Sequence, residues 1–285
     1  MNKIKYYIIR ILEEIGLLKY INFIFSIKVK NKNFKLPFGG SKIGTENILL
    51  MESWFFDIYK ELRKVGSLNE AFVDVGMNIG QTILKVKSID TNVKYIGFEP
   101  NVVCINYLFK LVKLNYFDDV HIYPVGLADK NGILTLYADN EFASGATMIN
   151  KFRHNQKIKF EYNTPVLTGD EILLSENPGI IKIDVEGFEL EVLKGLSKTL
   201  VEKAPFVICE ILPNYGHKES LRYSRQIELE NLLHSLDYHI FRVIEKESKI
   251  SHIDSIGFFD SMSETNFVFV PAGKMDQLNH LITNN

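Results

Sequence analysis

The chain lacks the features that would assign it to a specialised class at once. Among its 285 residues there are only two cysteines, and the formal net charge is −2. Neither Cys104 nor Cys209 has a Cys or His partner at the spacing of a metal site, so both indicate buried thiols in a reducing compartment. The small net charge gives no indication of a polyanionic partner, and nucleic acid is therefore not expected.

Long apolar runs are also missing. Charged residues interrupt every apolar stretch of residues 3–28, whereas a membrane span requires roughly 20 apolar residues in succession. No small-residue cleavage site follows, so a signal peptide is not predicted and the chain is expected to be cytoplasmic. The apolar residues of this region recur at helical spacing: Ile4, Ile8, Ile11, Leu12, Ile15 and Leu18.

These features predict an N-terminal helical extension over residues 1–65. Within it, residues 29–45 are expected to form a basic connector and residues 46–65 a partly buried helix. The extension is expected either to pack on the rest of the chain or on a second subunit, or to make peripheral contact with a membrane.

The most informative stretch covers residues 71–81, where a short apolar strand runs into a glycine-containing turn. Asp74 lies near the end of that strand, and a buried carboxylate is costly unless hydrogen-bond donors meet it. Gly76 and Gly80 allow a sharp turn and a close approach of the backbone to a ligand, and Asn78 tolerates left-handed geometry. Ligands of open α/β sheets bind at this end of the strands.

The same stretch excludes two common ligands. A dinucleotide fingerprint would need glycine at positions 78 and 81, which hold Asn78 and Gln81, and no Gly-Lys-Ser/Thr triplet follows for a phosphate loop. Glu99 closes the next apolar strand, where an acidic side chain accepts the hydroxyls of a ribose. Asp74 suits a ligand that carries an ammonium group. Ribose and an amino acid without phosphate describe S-adenosylmethionine (SAM).

Strands and helices then alternate along the chain, which predicts a doubly wound, mostly parallel sheet. Further acidic residues lie at predicted strand ends, namely Asp184 and Glu210. Gly126 and Leu127 end a third strand, at the place where an adenine ring rests if Glu99 holds the ribose. The irregular segment 139–164 carries a basic patch that includes Lys151 and Arg153, which indicates either a substrate site or a solvated surface.

Four segments carry a family resemblance. They are residues 73–80, residues 98–101, the run 181–195 that contains Lys182-Ile183-Asp184-Val185-Glu186-Gly187, and residues 207–210. The chain resembles the FkbM-type SAM-dependent methyltransferases over about residues 70–270. The run around Asp184 is far more specific than the glycine turn.

The resemblance implies a class I methyltransferase fold, which is a Rossmann-like sheet of seven strands with the last strand antiparallel. Residues 66–285 are therefore expected to form the methyltransferase domain. The family also implies SAM as the methyl donor and methylation of a hydroxyl group, on sugars, polyketides or other natural products.

Roles for individual residues follow from this resemblance. The methionine part of the cofactor is assigned to Asp74, Gly76, Asn78 and Gly80, the ribose to Glu99, and the adenine to Gly126 and Leu127. Asp184 is expected beside the methyl group as a catalytic residue. Glu186 either reaches the acceptor hydroxyl as a base or caps the following helix.

Further candidate residues belong to the acceptor side of the reaction. His217 is the alternative base by its ordinary pKa, unless it is simply an exposed loop residue. A divalent metal at Asp184, Glu186 and Glu210 is an alternative, but these residues do not have a clear metal-ligand spacing, so no metal is predicted. Glu210, Lys151 and Arg153 are expected to bind the acceptor.

The acceptor expected on these grounds is a sugar hydroxyl of a surface glycan of the capsule, lipopolysaccharide or O-antigen type. The alternatives are a small secondary metabolite as acceptor, or a SAM-binding scaffold without turnover. The acidic residues at positions 74, 99 and 184 argue against the scaffold, because a scaffold has no need of them.

Overall fold

The structure is a computed structural model that describes residues 2–39, 47, 52–67, 69–139, 145–150, 152, 158–216 and 220–283. The α-helices of these residues are α1 (Asn2–Glu14), α2 (Ser53–Val65), α3 (Gln81–Ile89), α4 (Val102–Asn115), α5 (Asp170–Leu173), α6 (Glu189–Gly195), α7 (Ser197–Lys203) and α8 (Leu221–Ser235).

The strands begin with an N-terminal pair and continue to the C-terminal region. They are β1 (Asn22–Val29), β2 (Lys32–Gly39), β3 (Ala71–Val75), β4 (Tyr95–Phe98), β5 (Val120–Tyr123), β6 (Gly126–Leu127), β7 (Gly132–Ala138), β8 (Phe160–Leu167), β9 (Pro178–Ile183), β10 (Phe206–Glu210), β11 (Tyr238–Ile244), β12 (Lys249–Ile253) and β13 (Asn266–Pro271).

The main sheet has the strand order β12-β11-β13-β10-β9-β3-β4-β5. Strands β10, β9, β3, β4 and β5 are parallel, and β13 runs antiparallel to both of its neighbours. The predicted doubly wound, mostly parallel sheet is confirmed. An eighth strand that was not predicted, β12, extends the edge by forming an antiparallel hairpin with β11.

The direction of chain progression reverses between β3 and β9. From β3 the chain builds outward through β4 and β5, and it then returns to place β9 on the other side of β3. A crevice forms at such a reversal, outside the carboxyl ends of the strands. The ends of β3, β4, β9 and β10 therefore define the position of the candidate site.

Alternating side chains of the central strands pack into two hydrophobic cores, one on each face of the sheet. Phe72 packs in the core that α2, α3 and α4 cover, whereas Val73 and Val75 pack in the core that α6, α7 and α8 cover. Every residue of β3 is buried, as expected for a parallel strand covered on both faces. Asp74 therefore points to the same face as Phe72, toward α2–α4.

The N-terminal extension differs from the prediction of two helices joined by a connector. After α1 the chain forms an antiparallel hairpin of β1 and β2, which turns at Lys30 with φ +51°. The predicted connector over residues 29–45 is a strand as far as Gly39, and residues 40–46 lie outside the described residues. Side chains of β1 and β2 alternate between exposed and buried and share a core with the main sheet, which explains why the helical pattern ends near residue 14.

The described residues include no helix that combines the length and the apolar character of a bilayer-spanning segment. Helix α1 nevertheless exposes the apolar side chains of Tyr7, Ile8 and Ile11, and Ile15 is exposed just after the helix.

Candidate active site

A cavity of about 280 Å³ opens at the carboxyl ends of β3, β4, β9 and β10. Residues of the glycine turn form its floor, and Glu99 lies on one wall. A small three-stranded sheet, in the order β6-β8-β7, contributes Gly126, Leu127 and Leu136 to another wall. The cavity therefore lies where the sequence predicted the ligand.

The turn after β3 brings two strand ends into close contact. The backbone N–H groups of Gly76 and Met77 donate to the carbonyl oxygen of Phe98, at 2.9 and 3.2 Å. Gly76 has φ +87°, and a Cβ atom there would collide with the carbonyl oxygen of Asp184. Only glycine fits this crossing of the ends of β3 and β9 without strain.

Glu99 is held as an acceptor by the backbone. Its Oε2 accepts the N–H of Asn78 at 2.7 Å, and its Oε1 accepts the N–H of Asn101 at 2.8 Å. Burial raises the pKa of Glu99 to about 7, although the two N–H groups lower it. Because each carboxylate oxygen has a further lone pair, this side chain is suited to accept two neighbouring hydroxyls of a ribose.

Next to Glu99 the cavity wall is apolar. Phe98, Leu127, Leu136 and Met148 line it. A Cβ atom on Gly126 would collide with the methyl group of Met148, so glycine at this position keeps the space open. An apolar slot beside a hydroxyl-binding carboxylate fits an adenine ring and its ribose.

The opposite wall carries several charges. The Nζ atom of Lys182 donates to Oδ2 of Asp184 at 2.9 Å, and both side chains line the cavity with Glu186 and Glu210. Burial lowers the pKa of the Lys182 ammonium group. The nearby carboxylates of Asp184 and Asp74 have the larger combined effect, so the pKa is raised. The charge of Asp184, followed by burial, raises the pKa of Glu210 to about 8.

Two of the predicted cofactor residues do not reach the cavity wall. Asp74 is fully buried beneath it, where the hydroxyl of Tyr95 donates to Oδ2 and Oδ1 has no hydrogen-bond partner. Burial raises the pKa of Asp74 to about 6, against the lowering effect of Lys182. Gly80, with φ +78°, packs against Leu108 and Leu111 of α4. Asp74 is thus buried beside Lys182, its register partner on β9, and Gly80 fixes the packing of the turn.

Glu186 and Glu189 have separate positions at the start of α6. Glu186, with φ +55°, lies on the cavity wall. Glu189 is buried, and its Oε1 accepts the N–H of Gly187 at 2.8 Å. Burial raises the pKa of Glu189 to about 7. The N–H group of Gly187 is therefore satisfied by the carboxylate of Glu189. The expected role of Glu186 toward the acceptor stays a prediction.

Three predicted residues, His217, Lys151 and Arg153, lie outside the described residues. Phe152, between the latter two, packs on Gly187 and accepts hydrogen bonds from Arg222 through its carbonyl oxygen, at 3.3 and 3.1 Å. Phe152 is thereby anchored beside Gly187. In the described part of the chain, no group of three His, Cys, Asp or Glu side chains is arranged to hold a metal ion.

Comparison with known proteins decides the family. The model of the FkbM methyltransferase domain matches residues 74–240, which is more than half of the chain. The chain belongs to the FkbM methyltransferase family. It is thus a SAM-dependent methyltransferase, and SAM is its cofactor.

Individual proteins that are similar to this FkbM methyltransferase share 10–27% sequence identity with it. The hexuronic acid methyltransferase AglP of Haloferax volcanii is 27% identical over 192 residues, which cover 64% of this chain and 72% of AglP. The crystal structure of an FkbM methyltransferase from Methylobacillus flagellatus KT has 17% identity and a TM-score of 0.47, and the match covers 70% of this chain but only 43% of that one. SAH-bound PaMTH1 of Podospora anserina has 10% identity and a TM-score of 0.41, covering 79% of this chain and 81% of that one.

Three features of the cavity fit the cofactor of the FkbM family. They are the doubly anchored carboxylate of Glu99, the slot kept open by Gly126 and the close backbone crossing at Gly76. When bound, SAM supplies an electrophilic methyl group on a sulfonium centre.

Several residues that line the cavity were not predicted from the sequence, notably Lys182, Lys85, Glu52 and Met148. A signal existed for Lys182, because residues two apart in a strand point to the same face, which places its side chain on the side of Asp184. No comparable signal existed for Glu52, which precedes the family domain in the sequence.

Proposed function

We propose that this methyltransferase transfers the methyl group to a sugar hydroxyl of a glycan. The observation that carries the proposal is the charged wall, where Lys182, Asp184, Glu186 and Glu210 lie together at the strand ends. A hydroxyl acceptor must lose a proton, and this wall offers carboxylates to receive it. The relative AglP, whose name describes methylation of a hexuronic acid, supports a sugar as the acceptor.

The residues of the charged wall have different roles in this proposal. Lys182 donates to Asp184 and fixes the orientation of its carboxylate beside the acceptor. Glu210, with a pKa of about 8, takes up the proton of the acceptor hydroxyl, because a base works best when its pKa lies near the working pH. Thr265 donates to Oε1 of Glu210 at 3.3 Å and orients it.

The basic residues around Phe152 favour an acceptor with a negative charge. Lys151 and Arg153 flank this residue, which is held beside Gly187 and Glu186. We infer that the two basic side chains bind the carboxylate of an acidic sugar. Removing both should then weaken binding of an acidic acceptor and leave a neutral acceptor unaffected.

The test uses SAM labelled in the methyl group and three acceptors. These are an oligosaccharide that ends in a hexuronic acid, the matching oligosaccharide that ends in a neutral hexose, and a small phenol that represents a secondary metabolite. We expect label in the acidic oligosaccharide, and a higher KM for it in the double variant Lys151→Ala/Arg153→Ala. The exposed pair Lys110→Ala/Lys113→Ala on α4 is the control and should behave as the wild type. Label in the phenol alone would contradict the proposal.

The apolar side chains exposed on α1 support a contact role for the extension, as its sequence predicts. We infer that α1 mediates either pairing of two subunits or contact with lipid. Sedimentation of the wild type and of Ile8→Ser/Ile11→Ser tests the first, and flotation with anionic vesicles tests the second. Monomeric protein that does not float would contradict both.

A further inference from the structure

The cavity lining also contains an ion pair between α3 and the residue before α2. Glu52 lies immediately before α2, and its carboxylate contacts the Nζ atom of Lys85 on α3. Both side chains line the cavity. Their exposures differ widely, because 4% of the Lys85 side chain is exposed and 52% of that of Glu52. The buried side chain of Lys85 is thus held in one position, whereas that of Glu52 is accessible to a ligand.

The position of this pair defines which part of SAM it faces. Glu99 and the apolar slot form the nucleoside end of the cavity, whereas Lys85 lies one turn beyond Gln81 and Thr82, which also line it. The charge of Glu52 is among those that raise the pKa of Glu210, after the charge of Asp184 and burial. The pair therefore lies near the charged wall, which is where the methyl group and the amino-acid part of SAM belong.

The two charges match those of the amino-acid part. That part carries a carboxylate and an ammonium group on one carbon atom, and Lys85 and Glu52 present the opposite charges side by side. Lys85 has three N–H donors. Its ammonium group lies 5.3 Å from the ring centre of Phe55, which also helps to keep it in place. Asp74, which the sequence suggested for the ammonium group, is fully buried beneath the cavity.

We propose that Lys85 binds the carboxylate and Glu52 the ammonium group of the amino-acid part of SAM. Glu52 precedes residues 74–240, so the N-terminal extension completes the cofactor site of the family domain. The proposal depends on the cofactor and is independent of the acceptor, so its outcome is separate from that of the glycan assay.

The test compares two ligands by calorimetric titration of the full chain. S-adenosylhomocysteine (SAH) carries the amino-acid part, and 5′-methylthioadenosine has the same nucleoside without it. We expect Lys85→Met to weaken SAH binding by about tenfold or more, which is about 1.4 kcal/mol. Glu52→Gln should weaken SAH binding severalfold. Both variants should bind 5′-methylthioadenosine as the wild type does.

Matched variants separate binding from folding. Lys60→Met removes an exposed lysine of α2 and should change neither affinity. Glu52→Gln alters a half-exposed side chain, so it reports on binding even if Lys85→Met lowers the unfolding temperature. Unchanged SAH affinity in both variants would overturn the proposal, as would an equal loss for both ligands or the absence of SAH binding by the wild type.

Discussion

Lys182 offers the sharpest test of how the charges of the site are arranged. Its ammonium group is 2.9 Å from Asp184, and β3 and β9 pair so that Lys182 is the register partner of the buried Asp74. Replacing Lys182 by Met keeps the side-chain length and removes the cation that most lowers the pKa of the buried Asp74. Removal of one partner from a buried ion pair costs about 3–5 kcal/mol.

The cost of Lys182→Met should depend on pH. Asp74 has a pKa of about 6, raised by burial and lowered by Lys182, so its charge is present at pH 8 and largely absent at pH 5. Asp184 retains 32% exposure, and water substitutes there for much of the lost contact. We therefore expect a loss of about 3 kcal/mol at pH 8 and about 1 kcal/mol at pH 5. At pH 8 the unfolding temperature should fall by about 6–12 °C.

Urea denaturation of the wild type and of Lys182→Met at pH 5, 6, 7 and 8 measures this effect. The control is Lys94→Met, which breaks a partly exposed pair with Glu176. It should cost about 1 kcal/mol or less at every pH. The double variant Asp74→Asn/Lys182→Met should recover part of the loss at pH 8. A loss that is the same at pH 5 and pH 8 would refute the proposed coupling.

Three further predictions follow from the site. Gly76→Ala should abolish SAH binding, because its Cβ collides with the carbonyl oxygen of Asp184, whereas Gly132→Ala should bind normally; equal affinities would refute the steric argument. In the wild type, kcat/KM should rise with pH up to about 8, and Glu210→Gln should lose this limb; an unchanged profile would exclude Glu210 as the base. Burial raises the pKa of Glu189 to about 7 in the folded state, so its contribution to stability is present at low pH and is lost as pH rises from about 4.5 to 7. Glu189→Gln should flatten that decline by at most about 1.4 kcal/mol per pH unit, and identical slopes in chemical denaturation would contradict this.

Features encoded by short stretches of sequence were predictable. The glycine turn and the carboxylate of Glu99 each depend on one strand end, and the apolar strands around them identify that end. The alternation of strands and helices then implied a parallel sheet with its ligand edge at those ends. The structure accordingly shows the N–H of Gly76 donating to the carbonyl oxygen of Phe98, and the N–H of Asn78 donating to Glu99.

Features that depend on register or on remote segments were not predictable. The position of the buried Asp74 beside Lys182 follows from the pairing of β3 with β9, which are far apart in sequence. The hairpin of β1 and β2 was missed because the helical spacing before it obscured the alternation of residues 22–29. Glu52 enters the cavity only because α2 packs against the sheet, a tertiary contact without a local sequence pattern.

The central claim is that this cavity holds SAM with its ribose on Glu99. Calorimetric titration with SAH at pH 8, where the carboxylate is largely ionised, tests it most directly. We expect micromolar binding by the wild type, and a loss of about tenfold or more in Glu99→Gln for both SAH and 5′-methylthioadenosine. Folded wild-type protein that binds neither ligand, or equal affinities of the wild type and Glu99→Gln, would contradict the claim.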